Sequence, residues 1–340
     1  MNLKEFASRL GLSQTTVSRA LSGYPEVKQA TRERVIKAAL EFGYRPNMNA
    51  LGLATGRAGA VGIVLRAGGF GPHTTEFLSG LGTRLHEDEI DILVSTADGL
   101  EAELAAYRRM AASKRVDAVI VHTPMSDDPR IPLLLDLGLA FIVHGRTGKD
   151  ASFGYLDIDN FGAFRQATAH LADLGHRRIA FINGHMGNTF AEHREAGYRS
   201  VFEERGIPVE PACLGNGDFT DEMGFRLMQG FLALENRPTA VLAGSMMSAL
   251  GAMRAIRIAG LTVGSDISLI AHDDVFPYLS PENLVPTIST TRSSIRAAGS
   301  RIGEMVLDLL RGTPAKELQE VWPVELVSRR STGPARAEEG

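Results

Sequence analysis

From Val61 to His272 the chain keeps returning to one pattern: a short apolar run, then a longer stretch with helical spacing. The runs are Val61 to Leu65, Ile90 to Val94, Ala118 to His122, Ala140 to His144, Tyr155 to Ile158, Ile179 to Asn183, Ala240 to Ala243 and Ile267 to His272. Helical spacing covers Glu76 to His86, Glu101 to Ala112, Ala163 to Leu174, Glu192 to Arg205, Met223 to Leu234 and Ser248 to Ala259. Strand-length apolar runs that alternate with helices predict an α/β fold with parallel sheets covered on both faces. Over roughly 270 residues, two such sheets are expected rather than one. Ligands in such folds sit at the carboxyl ends of strands, here in the cleft between two lobes.

Composition narrows the setting. The chain of 340 residues is 44% hydrophobic and 22% charged, an ordinary globular balance with room for two or three domains. It has one cysteine, Cys213, so an intrachain disulfide and a cysteine metal cluster are both excluded. No apolar run approaches the roughly 20 residues of a membrane span, and no apolar secretory core opens the sequence. The expected compartment is the cytoplasm, with no membrane contact.

Charge is unevenly placed. Residues 1–57 hold nine Lys/Arg against four Glu, a surplus of +5, so a net charge of -4 leaves -9 for the remainder. A basic head on an acidic body points to a polyanion at one end.

The head reads as three helices. Asn2 and Glu5 have capping-box spacing, which starts a helix at Leu3, with Leu3, Phe6, Ala7 and Leu10 on its apolar face. Gly11 ends it, and Ser13 is placed to cap a second helix from Gln14 to Leu21. Val17, Ala20 and Leu21 face inward, leaving Gln14, Thr15, Ser18 and Arg19 outside. Amide, hydroxyl and guanidinium groups on a short helix face are what base edges in a major groove require. A third helix runs to about Phe42 and is expected to bury Val35, Ala38, Ala39 and Phe42.

An apolar addendum follows. Pro46 suits a helix first turn, and the helix would run to about Thr55. So short a helix is marginal on its own, and Gly52 weakens it by roughly 1 kcal/mol. Leu51 and Leu53 have no domain of their own to bury in. Two such segments pressed side by side into a minor groove would order each other, with leucine wedges at a base step.

Four strings carry a resemblance: Thr16-Val17-Ser18-Arg19-Ala20-Leu21-Ser22-Gly23, Thr31-Arg32-Glu33-Arg34-Val35, Gly43-Tyr44-Arg45-Pro46-Asn47 and Thr55-Gly56-Arg57. The stretch Met1 to Arg57 resembles the N-terminal module of the LacI/GalR family of bacterial transcriptional regulators. By that resemblance the positions of Gln14, Thr15 and Arg19 read bases and Leu53 is the minor-groove wedge. Ser13, Thr16, Ser18, Tyr44 and Asn47 complete the implied DNA-facing set. Two residues depart from the family: Lys28 where a capping serine is common, and Leu51 where a basic residue is common.

The resemblance continues through Leu174-Gly175-His176-Arg177-Arg178-Ile179, Gly217-Asp218-Phe219-Thr220, Ala249 to Ala255 and His272-Asp273-Asp274. It implies a helix-turn-helix domain over 1–45, a hinge helix and linker over 46–58, and a two-lobed type I periplasmic-binding-protein-like effector domain. The lobes are expected over 59–158 plus 288–319 and over 159–287 plus 320–331, with a disordered tail over 332–340. The string Phe141 to Arg146, together with Gln14-Thr15-Thr16, is similar to alpha-glucoside-type regulators.

Arg194 and Asp273 are the leading effector-binding candidates, one grasping hydroxyls and the other accepting two hydrogen bonds at once. Phe219 would stack on a sugar ring, and Asp159 would add an acceptor. Ser245-Met246 stands where the family usually has Asn-Asp, so Ser245 is an effector-binding candidate with a reduced polar contact and the aspartate's hydroxyl contact is lost. His73 and Phe77 are the first-lobe candidates. The competing readings are a turn-capping aspartate, a solvated arginine and a core phenylalanine.

No P-loop, metalloprotease helix or nucleophile elbow is present, and the histidines lack metal-ligand spacing, so no catalytic residue, metal or cofactor is expected. The expected protein is a homodimeric repressor of carbohydrate genes, released from a palindromic double-stranded operator by a small sugar. The rivals are an activator, a corepressor-dependent regulator and a sugar-binding protein without a DNA function.

Overall fold

The computed structural model describes residues 1–21, 24–44, 57–66, 71–148, 152–272 and 275–336. Asn47, Leu53, Asp273 and nearly all of the expected hinge lie outside the described residues.

The head contains α1 (Leu3–Leu10), α2 (Gln14–Leu21) and α3 (Gln29–Glu41). The Asn2 side chain accepts from the Glu5 N–H at 2.9 Å while Glu5 reaches back to Asn2, closing the capping box. Ser13 Oγ accepts from the Thr16 N–H at 3.1 Å and so starts α2. Lys28 stands at the start of α3 without a side-chain cap. Phe6, Ala7, Leu10, Val17, Ala20, Val35, Ala38 and Tyr44 form the core. Phe42 departs from expectation. It remains 46% exposed, with its ring edge against Phe6 and the Arg9 guanidinium over it.

The body is built on two six-stranded sheets. The first contains β1 (Ala60–Arg66), β2 (Asp91–Ala97), β3 (Ala118–His122), β4 (Ala140–His144) and β5 (Gly154–Ile158). Its helices are α4 (Pro72–His86), α5 (Leu100–Ser113) and α6 (Arg130–Asp136). The second sheet contains β6 (Ile179–Asn183), β7 (Leu214–Asn216), β8 (Ala240–Ala243) and β9 (Ser268–His272). Around it lie α7 (Asn160–Asp173), α8 (Thr189–Glu204), α9 (Asp221–Leu232) and α10 (Met246–Ile258). Strands β6, β8 and β9 are buried along their whole length, as continuous apolar runs in a doubly covered parallel sheet must be.

The last elements cross between lobes twice. β10 (Ser289–Arg292) pairs with β9 in the second sheet, α11 (Ile295–Leu310) packs on α4 in the first lobe, and β11 (Gln319–Trp322) pairs with β5. β12 (Glu325–Val327) then returns to run antiparallel to β10. The passages therefore lie after Arg292 and after Trp322, not at 287 and 320 as the sequence led us to expect. Ser-Thr-Thr-Arg and Gln-Glu-Val-Trp carry little apolar periodicity, and backbone pairing rather than side-chain pattern decides their sheet.

The expected disordered tail is also corrected over its first part. Gly333 N–H donates to Ser268 Oγ at 3.0 Å, and Ala335 N–H donates to the Leu174 carbonyl at 2.9 Å. Arg336 pairs with Asp266 at 2.6 Å. Residues 332–336 are thus tied to the second lobe, and 337–340 lie outside the described residues.

Candidate functional site

On the head, Ser13, Gln14, Thr15 and Arg19 are exposed, while Thr16 and Ser18 are half-buried. The Thr16 hydroxyl shares a 2.8 Å hydrogen bond with Ser13, so both are partly committed to starting the helix. Gln14, Thr15 and Arg19 form the free face. Tyr44 does not join it: the ring stacks on Phe6 at 4.3 Å and is 8% exposed, and burial raises its hydroxyl pKa.

In the body, side chains gather where the strands of both lobes end. Arg194, carried on α8 and 4% exposed, donates through Nε to Asn160 Oδ1 at 2.7 Å and through a terminal nitrogen to the Gly244 carbonyl at 3.0 Å. Its guanidinium lies 4.9, 5.1 and 5.7 Å from the ring centres of Phe190, Phe164 and Phe219. Asn160 also donates to Asp157 at 3.2 Å, and Asp157 meets Arg146 at 3.0 Å. Burial pushes the Asp157 carboxyl up to about 6, against the opposing pull of Arg146.

His73, on α4, spans the gap: its ring is 6.0 Å from Phe219 and 5.2 Å from Phe276, both in the second lobe. Phe77 is fully buried and stacks on His144 at 4.5 Å, so it acts on the cleft through that histidine. His122 and His144 end neighbouring strands, and their Nδ1 atoms are 2.9 Å apart. One ring must donate this hydrogen bond and the other accept it. Burial, with the His144 and Arg130 charges behind it, drives the His122 pKa well below its ordinary value.

Two of the effector-binding candidates also serve as helix caps. Asp159 Oδ1 accepts from the Gly162 N–H at 2.9 Å at the start of α7. Ser245 is fully buried, with Oγ accepting from the Ser248 N–H at 3.1 Å and meeting the Ser248 hydroxyl at 3.0 Å. Arg194, Phe219 and His73 come together, and Phe77 lies behind them. Sequence reasoning missed the two strand-end histidines together with Phe190, Phe164 and Asn160. The signal for the histidines was available: Val-Ile-Val-His and Phe-Ile-Val-His are adjacent runs whose carboxyl ends meet in a parallel sheet.

A three-helix head with a free polar face, joined to two parallel-sheet lobes closing on a polar and aromatic cleft, defines a ligand-responsive DNA-binding protein. The description "Bacterial regulatory proteins, lacI family" matches residues 2–47, and "Periplasmic binding protein-like domain" matches residues 168–332. The chain is 47% identical over 339 residues to the HTH-type transcriptional regulator AglR of Rhizobium meliloti (strain 1021), covering 98% of this chain and 95% of that one. The chain belongs to the LacI family of DNA-binding transcriptional regulators. Among solved structures, the lac repressor dimer bound to operator and the anti-inducer ONPF is similar, with a TM-score of 0.84 and 26% identity over 98% of this chain and 99% of that one. The transcriptional regulator CelR–cellobiose complex is similar at a TM-score of 0.72 and 28% identity, over 97% and 99% of the two chains.

Proposed function

We propose that this regulator is a homodimeric repressor that leaves a near-palindromic operator when a small sugar enters the cleft between the lobes. The observation that carries the reading is the setting of Arg194, a buried cation ringed by Phe164, Phe190 and Phe219, the last of which also lies 6.0 Å from His73. Rings offer flat apolar faces, while the guanidinium and imidazole edges offer directed polar contacts. A sugar ring presents that same combination of surfaces. Similar proteins solved with operator and anti-inducer, or with cellobiose, support the assignment.

Gln14, Thr15 and Arg19 read bases, with Ser13, Thr16, Ser18 and Asn47 beside them and Leu53 as the wedge. The hinge over 46–58 links head and body. Closure of the lobes on sugar shifts the two chain entries near Gly59, and a marginal hinge helix answers to a coupling of about 1–3 kcal/mol. The protein works in the cytoplasm without cofactor, metal or catalysis. Among the described residues, no helix is long and apolar enough to cross a membrane, and no group of acidic, histidine or cysteine side chains is arranged to hold a metal.

A gel-shift titration of the operator against maltose, trehalose, sucrose and raffinose tests this. Release of DNA by one of these sugars is expected. Tighter binding would mark a corepressor, and failure to bind any DNA would overturn the reading. Leu53→Ala should weaken operator binding and leave the sugar affinity of DNA-free protein intact. Arg19→Ala should cost about 1–3 kcal/mol and relax one operator position.

A further inference from the structure

The loop after β3 is built unlike its neighbours. Asp128 accepts the N–H of Met125 and of Arg130, each at 3.0 Å, so the loop is folded on its own carboxylate. Arg130, 1% exposed, closes on Asp128 at 2.6 and 2.9 Å and on Glu103 at 2.5 Å. Its remaining donors go to the carbonyls of His122 and Thr123, each at 3.1 Å. Burial alone would raise the Asp128 pKa, but Arg130 and the two amides more than offset that and hold it low. Thr123 is held at φ 48°, a left-handed conformation that a β-branched residue adopts only when its surroundings impose it.

The outer side of the same loop is seated on the other lobe. The Pro124 carbonyl accepts from the Thr189 N–H at 3.0 Å and from the Thr189 hydroxyl at 3.1 Å. Met125 bridges to Asn188, and the Ser126 hydroxyl donates to Glu192 at 2.6 Å. Thr189 and Glu192 belong to the first turn of α8, the helix that presents Phe190 and Arg194 to the cleft. Arg130, paired with the loop's Asp128, therefore holds the His122 carbonyl on one side, while the loop meets the Arg194 helix on the other.

We propose that the 123–128 loop is an interlobe latch. It fixes the angle at which α8 meets the first lobe and positions Arg194 for the effector, which rests on the reading of the cleft given above. The contacts that cross between lobes are short and polar, while the network behind them is buried and internally paired. Opening the latch thus disturbs the crossing contacts and leaves the loop itself intact. Ser126, Thr189 and Glu192 are positioning residues.

The test uses the full-length protein and the triple variant Ser126→Ala/Thr189→Val/Glu192→Gln, with Ser126→Ala as a milder second variant. Hydrogen exchange should accelerate several-fold at the amides of 189–191 in the triple variant, and less in the single one. Strand β8 should keep its protection. X-ray scattering should show a wider lobe separation. Unchanged exchange at 189–191 and unchanged scattering would overturn the latch. Calorimetric titration with maltose, trehalose and sucrose supplies the second arm: whichever sugar binds wild type should bind the triple variant several-fold more weakly. Equal affinity would overturn the positioning of Arg194. If wild type ignores all three sugars, the reading of the cleft fails, while the exchange and scattering arms still decide the latch.

Discussion

In each lobe a buried arginine stands behind the carboxyl ends of the strands, and the two are surrounded differently. Arg130 in the first lobe is satisfied by Asp128, Glu103 and two carbonyls of its own lobe. Arg194 in the second is held by an amide, a carbonyl and three aromatic rings at the cleft. Helix starts are mixed in both lobes: α4 and α5 begin at Gly71 and Gly99 without side-chain caps while α11 is capped by Ser294, and α7, α9 and α10 are capped by Asp159, Thr220 and Ser245 while α8 starts uncapped. Two sheets with the same strand order thus serve different ends. The first lobe commits its charge to its own loop geometry, and the second sets its charge among aromatic rings at the cleft.

The largest expected effect tests that division directly. Arg130→Ala leaves the buried Asp128 without its cation and Glu103 with Arg66 alone, and should lower unfolding stability by about 3–5 kcal/mol. Arg194→Ala loses two charged hydrogen bonds and should cost about 1–3 kcal/mol, while abolishing the sugar response. Urea unfolding of both variants measures the contrast. Equal losses would mean that Arg194 is as structural as Arg130.

Next comes Asp157, which lies between the two regimes on β5 beneath Arg146 and Asn160. The residue is 5% exposed, and burial raises its carboxyl from 3.8 to about 6. Between about pH 4 and pH 6 the folded state therefore binds more of this proton than the unfolded state. Stability from this group is fully present below about pH 4, falls as pH rises through about 6, and then levels. Over that window the difference in unfolding free energy between wild type and Asp157→Asn should change by roughly 2–3 kcal/mol. A constant difference across the window would show that Arg146 holds the carboxylate charged throughout.

Much of this was legible in the residues. Ala118–His122, Ala140–His144 and Ile179–Asn183 form where their apolar runs lie, because a strand covered on both faces has to be apolar along its length. The capping box at Asn2 and the free face of Gln14, Thr15 and Arg19 are local chemistry and could be read locally. Strands β10, β11 and β12 were not legible, since three or four polar or mixed residues take their sheet from backbone partners far along the chain. Tyr44 was misplaced because a motif says which residues recur and not which way a ring turns. The cage around Arg194 joins residues 160, 164, 190, 194 and 219, a set that only the stacking of α7, α8 and the strand ends brings together.

The smallest effect separates capping from ligand contact at Ser245. Its hydroxyl is engaged by the Ser248 amide and hydroxyl and is fully buried, so a second partner in the cleft would have to displace one of them. Ser245→Ala should lower stability by about 1 kcal/mol, the usual cost of a lost N-cap. Sugar affinity of the DNA-free protein should stay within about twofold, since a loss of less than 0.5 kcal/mol is what an unmade contact leaves behind. A tenfold weakening would put the hydroxyl on the effector and blur the distinction between frame and ligand site in the second lobe. Stability lost with affinity kept would place Ser245 in the framework, leaving Arg194 and its rings among the groups that meet the sugar.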